Sequence, residues 1–533
     1  MATGELIADF MVWLEYTIFG VAPFTALIAF LLMLFFAVRA RRALMRHLRD
    51  VDPVTWAVLA LVLCASLALR LSIPSPHHII YIDEQLDMGA AKDLLRSGSQ
   101  GDYREPIGWS VLISIAFGLF GVNNWVAIYT ALVIGAFTIL PVFLLTRLVT
   151  GRSDAALVAA LWLACDPIHI RWSACAKSNA ASIFFIILVI YFSLLAFRSM
   201  RRDLLQLALA GMAFAVQLRQ ENYFLFVLFI AGWLLYRRTG PSIRSIVLPL
   251  ALAVLLSLPN LVVVIGSHAF TDWQASDTGG QMSGSNWSLG NLIDNSLAFG
   301  PSLFDGSHQT SLFSVLVLFG ISPMLRERRR QSLFLGIWFA ILWLVYFTSW
   351  FQTLQGKERF FTSFAPVLWI FGARGALEVS RSISARIGRQ WTIHLLVVIA
   401  LAVATLNIPY ARDHAAFYSD PHRVLMATIP ERAEREIPAD CIVVLERPTV
   451  LSSTTGFEVM PIGTFLTDVA AREEQFDRNA CVLFFEDVYC VKWDIDGSLE
   501  RCFWMRKRFQ LTPFRTYEGG GVGYTFYRIL PGA

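Results

Sequence analysis

The chain is organised as long apolar segments separated by short polar connectors. Up to about residue 410, apolar runs of 15 to 25 residues follow one another, and each is long enough to cross a hydrocarbon core of about 30 Å as a helix. These runs do not alternate apolar with polar positions, as the strands of a membrane barrel do. We therefore predict a polytopic α-helical membrane protein with about twelve transmembrane helices. The predicted spans lie near 17–38, 55–73, 123–148, 155–168, 179–198, 203–219, 222–236, 246–266, 311–325, 331–350, 361–379 and 392–410.

One further apolar run, 106–121, is shorter and begins with Pro106. We predict that it forms a helix lying at the membrane interface or dipping into the membrane, and that it does not cross.

The pattern changes after about residue 410, where short apolar runs alternate with polar segments as in soluble α/β domains. The runs 441–446 and 481–486 predict two buried strands, with an amphipathic helix at 464–479 between them and a closing strand at 523–530. If the two strands are parallel, their connection is right-handed. The predicted domains are a transmembrane domain, 1–410, and a small soluble α/β domain, 411–533.

Two cysteines of this soluble domain, Cys490 and Cys502, flank a predicted hairpin with the sequence VKWDIDGSLER. In an oxidising exterior these two thiols could form a disulfide, and two free cysteines is the alternative. No pair of cysteines has the C-x-x-C spacing that is typical of a zinc site.

Composition agrees with a membrane protein and charge gives its orientation. Hydrophobic residues make up 56% of the chain and charged residues 16%, whereas a soluble domain carries about 25% charged residues. Basic residues are concentrated in alternate connectors, at 39–49, 147–152, 198–202, 237–244, 326–330 and 374–389. Because positively charged connectors stay in the cytoplasm, the opposite loops, 74–122 and 267–310, and the soluble domain are predicted to face outward.

The outer loop 267–310 contains no Lys or Arg and is rich in Gly, Ser, Asn and Trp. Such a composition is typical of a mobile cover over a site, and a disordered connector is the alternative.

The other outer loop carries three carboxylates, Asp83, Glu84 and Asp87, within five positions. A structural explanation is available, because Asp83 could cap the following helix and Glu84 could favour its dipole. A functional explanation is that the first two belong to a site, while Asp87, about one helical turn further on, lies on a solvated face.

Other outward boundaries also concentrate ionisable side chains. They are Asp166, His169, Arg171, Lys177, Arg219, Glu221, Lys357 and Arg359. Each basic residue alone is explained by snorkelling to the interface, but ionisable residues at membrane depth tend to face a cavity or a path. Cations there can hold a lipid phosphate, and a nearby carboxylate can take a proton from a hydroxyl nucleophile. A phosphate leaving group then needs no general acid.

The order of these features resembles the GT-C superfamily of integral-membrane glycosyltransferases, in the branch that holds protein O-mannosyltransferases and the aminoarabinose transferase of lipid A. The resemblance rests on four elements of the sequence. They are "LRL" before "DE" with a closing Gly (70–98), a Pro-led segment ending "LFG" (106–121), "TGRSDA" with the following "DPIHIRWSACAKSN" (150–179), and "ERFFTSFAPVLWIFGARGAL" (358–377).

The resemblance implies which residues form the site. It places the catalytic carboxylate at Asp83, with Glu84 as its companion, and puts Lys357 and Arg359 near the lipid phosphate. The other candidates are Arg219 for the donor phosphate, and Asp166, His169 and Arg171 for substrate. The family often has a further acid near the position of Asn179, for which Asp166 is a substitute. Some GT-C enzymes use a divalent metal, so Asp83 and Glu84 are also candidate ligands for Mg²⁺ or Mn²⁺.

The resulting functional prediction is a glycosyltransferase that moves a sugar from a polyprenyl-phosphate-linked donor to an acceptor hydroxyl at the outer face, in one inverting displacement. Its partners would be that donor, membrane lipids and a glycan, lipid or protein acceptor, without nucleic acid. Its predicted location is the bacterial inner membrane, with the soluble domain in the periplasm. The alternatives are a transporter or flippase for a lipid-linked saccharide, and a non-enzymatic scaffold whose tail recruits a partner.

Overall fold

The computed structural model describes most of the chain, including nearly all of the predicted spans. It describes residues 2–73, 82–99, 106–269, 289–301, 309–348, 358–416, 425, 428–452, 455–478, 481–491, 497–519 and 522–530. The helices of the apolar part are α1 (Ala2–Arg49), α2 (Pro53–Ser72), α3 (Ile82–Ser97), α4 (Gly108–Phe120), α5 (Asn124–Phe137), α6 (Ile139–Thr150), α7 (Ser153–Ala164), α8 (Pro167–Ser173), α9 (Asn179–Ser199), α10 (Arg202–Ala215), α11 (Phe224–Tyr236), α12 (Ile243–Ala269), α13 (Leu289–Phe299), α14 (Ser311–Glu327), α15 (Arg329–Phe347), α16 (Ala365–Ile387) and α17 (Thr392–Ala416), with short 3₁₀ turns at Gln220–Tyr223, Glu358–Ser363 and Arg389–Trp391.

A helix lies at every predicted span, which confirms the polytopic helical fold. Within the described residues, seven helices are long and apolar enough to cross a membrane, or eight if α7 and α8, bent by 59° at their break, form one span. The helices α10, α11 and α14 contain 14, 13 and 17 residues, fewer than the roughly 20 of a full crossing. The total of twelve spans therefore stays a prediction.

The short helix α4 has the length expected for an interfacial segment. Its 13 residues span about 20 Å, which is less than the hydrocarbon core. Leu119 and Phe120 at its end are largely exposed. At its start the backbone N–H of Gly108 donates to the carbonyl oxygen of Gln217 at 2.7 Å, so the helix is anchored to the bundle.

Helices α14 and α16 pack through two glycines. A Cβ atom built on Gly320 would lie 1.8 Å from the carbonyl oxygen of Phe371, and one on Gly375 would lie 1.8 Å from that of Leu316. Only glycine permits so close an approach of two backbones. Membrane helices often associate in this way, because in lipid no hydrophobic effect drives one apolar helix against another.

The C-terminal residues form the predicted soluble α/β unit. Its elements are α18 (Ile429–Glu436), β1 (Cys441–Leu445), α19 (Thr449–Ser452), β2 (Glu458–Pro461), α20 (Ile462–Thr467), α21 (Val469–Arg478), β3 (Cys481–Glu486), α22 (Val488–Val491), α23 (Ser498–Arg508), β4 (Leu511–Gly519) and β5 (Val522–Ile529). The sheet order is β2-β1-β3-β5-β4. Strand β1 pairs in parallel with β2 and β3, whereas β5 runs antiparallel between β3 and β4. The two predicted buried strands are thus confirmed as β1 and β3, and they pair in parallel. The domain boundary at 410 stays a prediction.

Two details of this unit differ from the sequence-based expectation. The helix expected at 464–479 is two helices, α20 and α21, which break at Asp468, a residue with extended backbone. The predicted hairpin after Cys490 is wrong, because Ser498–Arg508 is a helix. It follows Gly497, whose φ of 77° is easily adopted only by glycine, and it buries Cys502 and Met505 on one face.

Two disulfides join elements of this unit. Cys490 and Cys502 are bonded, with a Cα–Cα distance of 5.3 Å, so of the two alternatives that the sequence left open the disulfide is the one present. The second disulfide, between Cys441 and Cys481, was not predicted. It links the first residues of β1 and β3, which the parallel register places side by side at a Cα–Cα distance of 4.6 Å.

The soluble unit is attached to the membrane part through α3. The Lys92 ammonium donates to the carbonyl oxygens of Ser452 and Thr455 at 2.7 and 2.8 Å. About two helical turns earlier, the Gln85 side-chain amide donates to the carbonyl oxygen of Val450 at 3.3 Å. The acidic start of α3 and the sheet are therefore positioned relative to each other by direct hydrogen bonds.

Candidate active site

The connector 174–178, between α8 and α9, is the point at which the outer elements meet. Trp109 of α4 donates its indole N–H to the carbonyl oxygen of Ala176 at 2.8 Å. The backbone N–H of Ala176 in turn donates to Oε2 of Glu84 at 2.6 Å. Glu84 is fully buried. The start of α3 is thereby fixed against a connector that lies about ninety residues later in the chain.

Asp87 also contacts this connector, which corrects the expectation of a solvated face. Its carboxylate lies 3.0 Å from the Lys177 ammonium, and the two side chains are only 3% and 4% exposed. The same residue's carbonyl oxygen accepts a hydrogen bond from the Ser110 hydroxyl at 3.1 Å. Local helix periodicity could not reveal the partner, because it comes from a distant segment.

The proposed base, Asp83, lies in the first turn of α3. Its side chain lies outside the described residues, so its catalytic role stays a prediction. Lys357 also lies outside the described residues.

The described part of the loop 267–310 includes α13, where the side-chain amide of Asn295 donates to the carbonyl oxygen of Phe347 at 2.9 Å. Whether the rest of that loop covers the site stays a prediction.

Three of the candidate cations lie along a row of aromatic rings beside the connector. The guanidinium of Arg171 lies 5.0 Å from the centre of the Trp172 ring. Arg359 lies between two rings, 5.4 Å from Trp172 and 5.3 Å from Phe360. Arg219 lies 5.5 Å from the same Phe360 ring. Contacts of this kind orient a guanidinium without neutralising its charge.

Arg219 is in addition paired with a carboxylate. It forms a salt bridge with Glu221, whose Oε1 also accepts a hydrogen bond from the Tyr346 hydroxyl at 3.3 Å. Arg219 reaches towards the connector as well, with the side-chain oxygens of Ser178 and Asn179 at 3.5 and 3.4 Å. The charge of Arg219 is therefore partly neutralised by Glu221.

The electrostatics of Cys175 show how closely these groups converge. Burial raises the pKa of this thiol, and the nearby Glu84 carboxylate raises it further. Arg171 and Arg359 act in the opposite direction. A carboxylate of α3 and two of the candidate cations therefore surround the same buried residue.

Asp166 and His169 belong to a separate buried network. Asp166 accepts three hydrogen bonds, from the His169 backbone at 2.8 Å, the Gln309 amide at 3.1 Å and the Trp369 indole at 3.2 Å. His169 Nδ1 lies 2.7 Å from the Arg70 guanidinium. These contacts favour a structural role for Asp166, as the residue that caps α8 and ties it to α16.

Arg70 is completely buried at the end of α2. Besides the contact with the His169 ring, its guanidinium donates to the Ser173 hydroxyl at 2.9 Å and to the carbonyl oxygens of Ala164 and Leu163 at 3.2 and 3.4 Å. It therefore joins α2 to the break between α7 and α8, directly below the connector.

Comparisons with known proteins show which fold this architecture has. Residues 104–265 match the family described as dolichyl-phosphate-mannose-protein mannosyltransferase. The crystal structure of ArnT from Cupriavidus metallidurans in the apo state aligns with a TM-score of 0.59 at 13% identity, over 89% of this chain and 97% of that one. The same protein bound to undecaprenyl phosphate aligns with a TM-score of 0.59 at 13% identity, over 90% and 98%. The chain therefore has the fold of ArnT, and the family match within it supports a glycosyltransferase.

A second GT-C fold agrees with this assignment. The oligosaccharyltransferase of Archaeoglobus fulgidus, in a complex with zinc and sulfate, aligns with a TM-score of 0.53 at 14% identity, over 86% of this chain and 72% of that one. No curated protein sequence matches the chain. The resemblance drawn from the sequence motifs is therefore confirmed at the level of the fold and the enzyme class.

A metal site in this glycosyltransferase stays a prediction. Among the described residues no three His, Cys, Asp or Glu side chains cluster as ligands of an ion. Of the two proposed ligands, Glu84 uses one oxygen for the Ala176 N–H, and the side chain of Asp83 is not among those described.

The aromatic rings between the cations are the site residues that sequence reasoning missed. Trp172 directly follows Arg171, and Phe360 directly follows Arg359. Two Arg-aromatic dipeptides at outward boundaries were therefore a usable signal. The contact between them was not, since it joins segments almost two hundred residues apart.

Proposed function

We propose that this GT-C glycosyltransferase moves a sugar from a polyprenyl-phosphate-linked donor to an acceptor hydroxyl at the outer face of the membrane. The observation that carries the proposal is the convergence of the acidic start of α3 with Arg171, Arg219 and Arg359 around the connector 174–178. ArnT, which has the same fold, has been solved with undecaprenyl phosphate bound. A base opposite several cations suits a reaction in which a phosphate leaves.

The cations would bind the donor phosphate. Arg359 is the best placed, because it lies between Trp172 and Phe360 and presents a planar fork that can hold two phosphate oxygens at once. Arg171, Arg219 and Lys357 would add charge around it. This charge stabilises the phosphate most as the sugar–phosphate bond breaks and negative charge develops on the leaving oxygen.

The carboxylate of Asp83 would act as the base. It takes the proton of the acceptor hydroxyl while that oxygen forms a bond to the anomeric carbon of the sugar. The bond from this carbon to the phosphate oxygen breaks, and the polyprenyl phosphate leaves with the bonding electrons. One displacement from the opposite side inverts the anomeric configuration. Glu84 positions the start of α3 through its hydrogen bond to Ala176. A divalent ion held by Asp83 and Glu84 remains a separate proposal, and none of these steps depends on it.

The proposed location is the bacterial inner membrane with the C-terminal domain in the periplasm. The two disulfides of that domain support an oxidising compartment. The arginine-rich connectors of the opposite end support a cytoplasmic position for that end.

The decisive test is turnover of a labelled polyprenyl-phosphate sugar by the purified protein in lipid nanodiscs. We expect Asp83→Asn to lower turnover by about a thousandfold or more, since a base and its charge are both lost. The matched control is Asp93→Asn, which changes an exposed carboxylate of the same helix and should leave turnover unchanged.

Donor binding provides the second readout. We expect Arg359→Ala to raise the Kd of the donor about tenfold or more and Arg359→Lys to recover part of the affinity, because the charge returns without the planar fork. Near-normal turnover by a folded Asp83→Asn protein would exclude Asp83 as the base. Translocation of the lipid-linked sugar without any transfer would favour the transporter alternative.

A further inference from the structure

A second basic site lies at the other end of the helix bundle. Helix α9 begins at Asn179 beside the candidate active site and ends at Ser199 in the wall of a cavity of about 350 Å³. Its 21 residues separate the two sites by about 30 Å. The cavity is therefore distinct from the place where the sugar is transferred.

Four helix ends supply the basic lining of this cavity. His47 comes from the end of α1, Arg147 from the end of α6, Arg198 from the end of α9, and Arg328 from the junction of α14 and α15. The distribution of basic residues predicts a cytoplasmic position for all four connectors. The structure brings them together around one opening.

Two arginines of the cavity, Arg147 and Arg198, make their described hydrogen bonds to backbone carbonyl oxygens and not to carboxylates. In the described part of the chain, no carboxylate lies within 4.0 Å of the guanidinium of Arg147, Arg198 or Arg328. Arg147 donates to the carbonyl oxygens of His47 and Asp50 at 3.0 and 2.9 Å, and Arg198 donates to that of Leu148 at 2.7 Å. Because each guanidinium has five N–H donors, the described residues use less than half of their hydrogen-bonding capacity.

At and behind the lining residue His47, two buried polar atoms have no hydrogen-bond partner among the described residues. These atoms are His47 Nε2 and the hydroxyl oxygen of Tyr191. The two rings lie 5.9 Å apart. Gly151 leaves room for a cation, since a Cβ there would lie 2.5 Å from the Arg328 guanidinium. The cavity is thus lined by several positively charged side chains.

Two simpler explanations account for only part of this arrangement. Cations near the last turns of α6 and α9 favour the helix dipoles, and arginines are common in cytoplasmic connectors. Neither requires three guanidinium groups to line the same cavity, where their mutual repulsion is unfavourable. An anion between them removes that repulsion.

We propose that this cavity binds a phosphate-bearing anion. Guanidinium groups hold phosphate through paired hydrogen bonds, and basic pockets between helices on the cytoplasmic side of a membrane suit anionic lipid headgroups. The same chemistry would also accept a soluble phosphate. The ligand is thus defined by its phosphate, and its source is decided by experiment.

The experiment measures the melting temperature of the purified full chain in detergent while phosphatidylglycerol, phosphatidylcholine or inorganic phosphate is added. Phosphatidylglycerol should raise the melting temperature, while phosphatidylcholine should raise it less at equal concentration. Arg198→Gln and Arg328→Gln should each increase the half-saturating concentration of phosphatidylglycerol about fivefold, and together about 25-fold. The control is Arg326→Gln, an exposed arginine of the same connector as Arg328, which should change it less than twofold.

Competition between inorganic phosphate and phosphatidylglycerol shows which of them supplies the phosphate. If inorganic phosphate stabilises the protein and displaces phosphatidylglycerol, the cavity takes soluble phosphate as well. If it does not, the ligand is a lipid headgroup. Arg198 is exposed, so its substitution should not prevent folding, and Arg198→Lys should weaken binding less than Arg198→Gln. Equal stabilisation by the two lipids, or an equal loss in Arg326→Gln, would overturn the proposal.

Discussion

For the acidic residues of the outer face, the sequence predicted their type and position but not their contacts. Asp83, Glu84 and Asp87 form one acidic cluster in the sequence, yet Glu84 is held by a backbone N–H and Asp87 by Lys177. The type and position of these residues were readable from local pattern. Their partners were not, because burial and pairing depend on segments about ninety residues away. The interpretation of Asp87 was wrong for that reason.

The pair Asp87–Lys177 gives a prediction at this scale. Removing one member of a buried ion pair leaves an uncompensated charge, so Asp87→Asn should lower the free energy of unfolding by about 3–5 kcal/mol. Replacing both residues, as Asp87→Asn with Lys177→Met, should recover most of that loss. Denaturant unfolding of the four proteins of this double-mutant cycle is the measurement, and an additive double variant would contradict the coupling.

Asp487 gives a prediction for pH dependence. Burial raises the pKa of this carboxyl, at the end of β3, to about 7 from an ordinary value of 3.8. Between these values the folded state binds more protons than the unfolded state, so stability is complete below about pH 4 and falls as pH rises through 7. The loss amounts to at most about 4 kcal/mol. In Asp487→Asn this loss should disappear.

The measurement is hydrogen exchange of the β3 amides in the intact protein, corrected for intrinsic exchange rates at each pH. Asp440→Asn, at an exposed position of the same domain, serves as the control and should keep the pH dependence of the natural protein. An unchanged pH dependence in Asp487→Asn would show that this carboxyl is not its source.

At the scale of elements, apolar runs predicted helix positions well and edge strands poorly. Every predicted span contains a helix, since burying a backbone in lipid leaves few alternatives. Strand β4 was missed because it is an edge strand, and most of its side chains are exposed, so it lacks a hydrophobic signature. The hairpin prediction was wrong because Gly497 precedes a helix, α23, at that position.

The contact between α14 and α16 gives a prediction at this scale. Gly375→Ala should lower the stability of the protein by about 1–3 kcal/mol, because the new methyl group meets the backbone of Leu316 and the helices must separate. Gly336→Ala is the matched control, because a Cβ there has no neighbour within 4 Å. It should be neutral or stabilising. Thermal unfolding in detergent compares the two, and equal effects would contradict the role of close packing.

At the scale of the whole molecule, the soluble domain contacts α3, the helix that carries the candidate base. Lys92 links the two parts through two hydrogen bonds, and burial lowers the pKa of its ammonium. The presence of the domain was predictable from the change in hydrophobic pattern. Its docking was not, since the acceptors are backbone carbonyls, which no sequence pattern marks.

This attachment gives the last prediction. Lys92→Met should keep much of the packing of the side chain but remove two hydrogen bonds, so the amides of α19 and of Thr455 should exchange their hydrogens about tenfold faster or more. Arg96→Met, at an exposed position one turn later on α3, should not change exchange there. Equal protection in Lys92→Met would assign the docking to apolar contacts.

Arg70 has a consequence for how the chain is inserted during synthesis. The partners of its guanidinium at 163–173 follow it by 93 to 103 residues. At a translation rate of about 5–20 residues per second, α2 waits roughly 5–20 seconds for them. Because an unpaired charge in the bilayer is costly, we expect α2 to enter with its final turn at the membrane boundary and to reach its final depth when α7 and α8 arrive.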